Sequence, residues 1–238
     1  MSTHALPSRA AGAHRLPAAA AQQLRWLAAG LAFGFLVPFL FADLLELPRD
    51  LYYAVYSVGV FAFFVLWSRR TGRSLAAMLR RRLPLAIGLG LVFAGVMTLL
   101  VLRAEEATAR PDGLALAGAA LWRGVVYGAA DGLLLSAFPI LAVFAAFAGH
   151  ALRERLRGTL LIGAAAVAAS LAMTAAYHAG YGEFRSTKVA NPVAGDVVWS
   201  APTLLTLNPV GAPIAHAGMH VAAVLHSSET DLFLPPHR

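Results

Sequence analysis

Residues 114–150 read LALAGAALWRGVVYGAADGLLLSAFPILAVFAAFAGH, and whether this run crosses a bilayer once or twice decides the fold. As one helix it extends for roughly 50 Å at about 1.5 Å per residue, well beyond a hydrocarbon core of about 30 Å. It is therefore either a tilted single helix with an exposed end or a hairpin. The flanking charges choose between the two. The loop at 68–82, SRRTGRSLAAMLRRR, carries six arginines, and such an excess marks a cytoplasmic loop. RERLR at 153–157 carries the same mark. Only segments 83–102 and 114–150 lie between these loops, so both loops share a side only if 114–150 crosses once.

Working outward on the same ruler, apolar segments fall at 24–42, 51–67, 83–102, 114–150, 159–178, 196–207 and 210–226. The expected fold is all-α, a polytopic transmembrane helical bundle with about seven transmembrane segments. The last two are short and meet at Asn208-Pro209, so re-entrant geometry stays open for one or both. A polar N-terminal tail at 1–23 precedes a single transmembrane domain at 24–226, and a C-terminal tail follows at 227–238. No small-residue cleavage site follows the first segment before Asp43, which reads as an uncleaved first helix.

Composition agrees. The chain is 59% hydrophobic and 13% charged, with a mean hydropathy of +0.67, far from the roughly 25% charged residues of soluble domains. The net charge of +7 comes from 18 arginines and one lysine. With no basic stripe interleaved with aromatics, it sets orientation in a bilayer, and no nucleic-acid partner is expected. The expected location is the plasma membrane of a bacterium, as an integral membrane protein with its N-terminus in the cytoplasm. Cysteine is absent, which excludes disulfides, thiolate metal sites and a cysteine nucleophile. Any metal must be held by His, Asp and Glu.

Ionisable groups at membrane depth are costly and point to function. In WRGVVYGAADG, Arg123, Tyr127 and Asp131 lie four apart on one helix face. Gly124, Gly128 and Gly132 repeat at the same spacing and allow a second helix to approach closely. An internal Arg123–Asp131 pair that joins two helices is the plain structural alternative. YHAGYGEFR at 177–185 puts His178 at a segment end and Glu183 in the loop after it. His216 and His220 form an i, i+4 pair whose rings face one side, a spacing that helices use to chelate metal. His150 and His226 read as interfacial, and His4, His14 and His237 sit in the tails. His178, His216 and His220, with a carboxylate from Asp131 or Glu183, suit zinc or another divalent metal, which polarises a carbonyl and acidifies bound water.

The order of these motifs resembles that of the CPBP family, the CAAX-processing and bacteriocin-processing intramembrane proteases, over roughly residues 114–226. Leu121-Trp122-Arg123-Gly124 resembles the end of the family's EExxxR motif, Thr174 to His178 occupies the place of FxxxH, and His216 to His220 that of HxxxN. The chain departs where the family carries its two glutamates, having Gly118 and Ala119, and has Thr174 for the phenylalanine. A literal EExxxR at Glu105–Arg110 is followed at once by Pro111-Asp112-Gly113 and reads as a solvated loop.

The resemblance implies an intramembrane metal-dependent hydrolase, a peptidase acting on a membrane peptide or protein. His178, His216 and His220 are then the metal ligands, Asp131 or Glu183 is the base in place of the absent glutamates, and Arg123 orients that carboxylate or a substrate carbonyl. The absent glutamates equally fit a non-catalytic scaffold or a metal- or ligand-binding protein on the same fold. A small transporter with a His and Asp proton relay is the third alternative, though no internal repeat is visible.

Overall fold

The computed structural model describes residues 18–230 and 232–236; Arg9, Arg15, His4, His14 and His237 lie outside them. Among the described residues the regular structure is helical throughout. The helices are α1 (Ala18–Leu44), α2 (Arg49–Arg70), the short α3 (Leu75–Arg80), α4 (Leu83–Ala104), α5 (Gly113–Ala146), α6 (Leu156–Ala179), α7 (Ala190–Thr206) and α8 (Gly211–His226).

Five of these, α1, α2, α4, α5 and α6, are long and apolar enough to cross a membrane, and they mark an integral membrane protein. The seven expected segments therefore resolve into five such helices and two shorter ones, α7 with 17 residues and α8 with 16. Outward-facing Leu91, Val92, Leu160 and Leu161 are more than 60% exposed, an apolar surface that bilayer rather than water would cover.

The 114–150 run is one helix, not a hairpin. α5 is 34 residues long, and 89% of its most apolar window is buried inside the protein, so its neighbours rather than lipid enclose it. Its first two turns project, with no buried residue in Gly113–Ala119. Two stretches, Ala120–Tyr127 and Gly132–Ala137, wind in wide i→i+5 turns on either side of Gly128–Asp131. Such widened turns recur at functional positions in helices.

α8 lies antiparallel to α5 and parallel to α4. A methyl group added at Gly124, Gly128 or Gly132 would sit 2.6 Å from Val221 Cγ2, 2.8 Å from Ala217 Cα, or 2.7 Å from Pro213 Cα, respectively. The glycine stripe thus lets α8 rest directly on the α5 backbone. On its other side α8 meets α4 through equally small residues: Gly211 faces the Ala86 carbonyl and Gly218 faces Ala94. Asn208, in the α7–α8 turn, donates to the carbonyls of Leu79 and Arg81 and accepts from the Val210 N–H at 2.8 Å. The start of α8 is thereby fixed beside the arginine-rich loop. At the far end His226 hydrogen-bonds the Glu105 carbonyl at 3.0 Å, so α8 runs alongside α4 for nearly its full length.

The tail after α8 returns over the bundle. Arg49, buried at the start of α2, donates to the carbonyls of Pro236 at 2.7 Å and Ser228 at 3.0 Å, and Leu234 is fully buried. The Glu105–Arg110 stretch lies between α4 and α5 in an irregular loop.

Candidate metal centre

The close approach of α5 and α8 brings Asp131 to the histidine pair. His216 and His220 sit on one face of α8, with ring centroids 6.4 Å apart and planes 26° from parallel. Asp131 Oδ2 lies 3.3 Å from His220 Nε2. Asp131, His216 and His220 each offer a ligand atom, and these atoms all fall within 4.8 Å of one another. This group can hold a metal ion. All three residues are buried, at 4%, 1% and 1% exposure.

Three polar atoms of the group have no hydrogen-bond partner: Asp131 Oδ1, His216 Nδ1 and His220 Nδ1. A buried acceptor left unmatched costs on the order of 1–3 kcal/mol, and a cation is the partner that this donor set fits. His178 faces the same cavity, of about 190 Å³, together with Asp131, His216, His220 and apolar residues such as Trp199 and Met219. Its Nδ1 lies 2.8 Å from the Thr174 carbonyl. Since a carbonyl only accepts, Nδ1 carries the proton and Nε2 keeps its lone pair. His178 stands outside the three-residue ligand group.

The other residues singled out in the sequence are placed elsewhere. Arg123 does not pair with Asp131; it makes a bidentate bond with Asp50 of α2, both contacts 2.7 Å, at a partly exposed position. Its side chain is thus engaged one helix away from the carboxylate it was expected to orient. Glu183 lies in the turn Gly182–Phe184 after α6, outside the cavity lining. Asp131 is the one carboxylate among the described residues that line this cavity. His150 is exposed and accepts from the Leu152 N–H at 3.2 Å. Tyr127, between Arg123 and Asp131 in the stripe, points to neither; it stacks on Tyr53 with centroids 3.7 Å apart.

Two features were not anticipated from the sequence. All six tyrosines of the chain, Tyr52, Tyr53, Tyr56, Tyr127, Tyr177 and Tyr181, are buried in one cluster beside Asp131 and His220. Four of the hydroxyls form a chain in which Tyr52 meets Tyr181 at 2.6 Å, Tyr181 donates to Tyr177 at 2.6 Å, and Tyr177 meets Tyr127. The second is Asp196 of α7, fully buried, which accepts from Ser136 at 2.7 Å and is hydrogen-bonded to Ser170 at 2.6 Å. The recurrence of tyrosine at 52, 53 and 56, on one face of α2, was the available signal for the first; the second had none beyond an acid within a short apolar segment.

Comparison of the chain with protein-family models, with curated proteins and with solved structures gives no match.

Proposed function

We infer that the chain is an intramembrane metal-dependent hydrolase acting on a membrane peptide, with Asp131, His216 and His220 holding a divalent cation such as zinc. The convergence of these three residues on one buried cavity, each with a polar atom lacking a hydrogen-bond partner, carries this reading. Three protein ligands of the His₂-carboxylate type leave a fourth position open, as catalytic rather than structural zinc sites do. When bound there, the cation polarises a carbonyl oxygen and lowers the pKa of water.

The chain's own groups divide the remaining work. With Asp131 among the ligands and Glu183 away from the cavity, the base is His178. Its Nδ1–H is held by the Thr174 carbonyl, so Nε2 accepts a proton from the attacking water and returns it to the leaving amine. Trp199, Met219 and Leu135 in the cavity wall exclude bulk water and accommodate an apolar segment. The ligand and base roles are thus exchanged between His178 and Asp131 relative to the assignment from motif order.

A second reading, a non-catalytic metal-binding protein of the same architecture, is favoured by Gly118 and Ala119 in place of a glutamate pair. Liposomes carrying wild type, His178→Ala or His220→Ala, with a panel of fluorogenic membrane-spanning peptides, separate the two. The hydrolase reading expects chelator-sensitive cleavage by wild type and none by either variant. Full metal loading without cleavage of any peptide supports the second reading.

A further inference from the structure

We propose that Asp196 and Ser136 are positioning residues that act through His216, fixing its tautomer so that Nδ1 presents a lone pair to the cation. This rests on the metal-binding reading given above. The geometry is a hydroxyl-bridged carboxylate–histidine chain. Ser136 Oγ lies 2.7 Å from Asp196 Oδ1 and 3.2 Å from His216 Nε2. Ser136, Asp196 and His216 are buried, at 0%, 0% and 1% exposure, so bulk solvent does not compete for these bonds.

Counting hydrogens fixes their direction. A serine hydroxyl has one hydrogen to donate and can accept through its lone pairs. Ser136 gives its hydrogen to Asp196, so at the His216 contact it must accept, and His216 Nε2 must carry the proton. A neutral imidazole protonated at Nε2 has its lone pair at Nδ1, and Nδ1 of His216 is one of the unpartnered buried atoms. Without an acceptor at residue 196, the Ser136 hydrogen turns to Nε2, the ring proton moves to Nδ1, and the ligand atom is blocked. Histidine ligands to metals are commonly held this way by a second hydrogen-bonded group, whose removal lowers metal affinity about 10–100-fold.

Asp196 is itself held in place. Ser170 Oγ contacts Asp196 Oδ2 at 2.6 Å and the Leu135 carbonyl at 2.8 Å. Ser136 and Leu135 belong to α5, Ser170 to α6, Asp196 to α7 and His216 to α8. The chain therefore ties four helices to one ring nitrogen. An asparagine at 196 reproduces it, its carbonyl accepting from Ser136 and its amide donating to Ser170; leucine, with the same heavy-atom branching but no polar atom, cannot.

The test uses full-length protein in detergent, labelled with ¹⁵N-histidine and free of metal. In wild type and Asp196→Asn, the ¹⁵N shifts of His216, assigned by its loss in His216→Gln, are expected to show protonation at Nε2. In Ser136→Ala and Asp196→Leu that preference is lost. Zinc titration should then give Asp196→Asn within about threefold of wild type and Asp196→Leu weakened about 10–100-fold. A wild-type His216 protonated at Nδ1, or a tautomer unchanged in both Ser136→Ala and Asp196→Leu, overturns the proposal. The expected tautomers with no zinc uptake by wild type refute the metal-binding reading instead, because the NMR measurement involves no metal. Should Asp196→Leu fail to fold, Ser136→Ala carries the same comparison.

Discussion

The contact between α5 and α8 brings Asp131 to the histidine pair, and Gly128→Ala tests that contact. The added methyl would stand 2.8 Å from Ala217 Cα and 2.8 Å from His220 Cδ2, against an ordinary carbon–carbon separation of about 3.5–4.0 Å. Because one obstacle is backbone, α8 must move away by about 0.7 Å or more. That displacement takes the 3.3 Å contact between Asp131 and His220 to about 4 Å, past hydrogen-bond range. Overpacking costs about 1–3 kcal/mol, and replacing a helical glycine returns about 1 kcal/mol. The net loss of stability is then at most about 2 kcal/mol, while zinc affinity falls at least about tenfold, in the range seen when ligand positioning is disturbed. Gly118→Ala is the control: nothing lies within 4 Å of its added methyl, so it should raise stability by up to about 1 kcal/mol and leave affinity unchanged. Thermal unfolding followed by tryptophan fluorescence and calorimetric zinc titration give the two readouts. If Gly128→Ala matches wild type in both, α8 does not rest on α5 as described.

Other outcomes follow from the same geometry. Arg123→Ala should retain full zinc binding, because Arg123 is engaged by Asp50; with both side chains partly exposed, the loss in stability should stay near 0.2–1 kcal/mol, and a large loss of metal would place Arg123 at the site after all. Tyr177→Phe removes the hydroxyl between Tyr127 and Tyr181 and leaves buried partners unmatched, so chemical unfolding should show about 1–3 kcal/mol of destabilisation; a neutral variant would contradict the hydroxyl chain. Since the chain has no cysteine, single replacements at Ala76 and Glu106, both exposed, can be probed with a membrane-impermeant maleimide. Labelling from opposite faces of the bilayer is expected, with Ala76→Cys on the cytoplasmic face, and labelling from one face would break the helix order.

Much of this architecture was legible because it is encoded locally. The arginines of 68–82 and 153–157 determined that 114–150 is one helix, the spacing of Gly124, Gly128 and Gly132 announced a close helix neighbour, and the i, i+4 histidines announced a shared face. What escaped was pairing over distance. Arg123 finds Asp50 73 residues away, and Ser136 finds Asp196 60 residues away. No periodicity links such positions; only the packing of α5 against α2 and α7 does. The sequence left Asp131 and Glu183 as alternative carboxylates for the histidine site; the widened turns around Gly128–Asp131 and the glycine contact bring Asp131 to His220. Of the seven expected segments, five are long and apolar enough to cross a membrane, and α7 and α8, with 17 and 16 residues, are shorter.

If Asp131, His216 and His220 form one metal site, elemental analysis of the purified protein will read it as a stoichiometry. After saturation with zinc and removal of excess, wild type is predicted to retain about one ion per chain, and Asp131→Asn, His216→Gln and His220→Gln to retain far less while unfolding at temperatures close to that of the zinc-free wild type. Equal zinc in wild type and all three variants, or none in wild type, would contradict it.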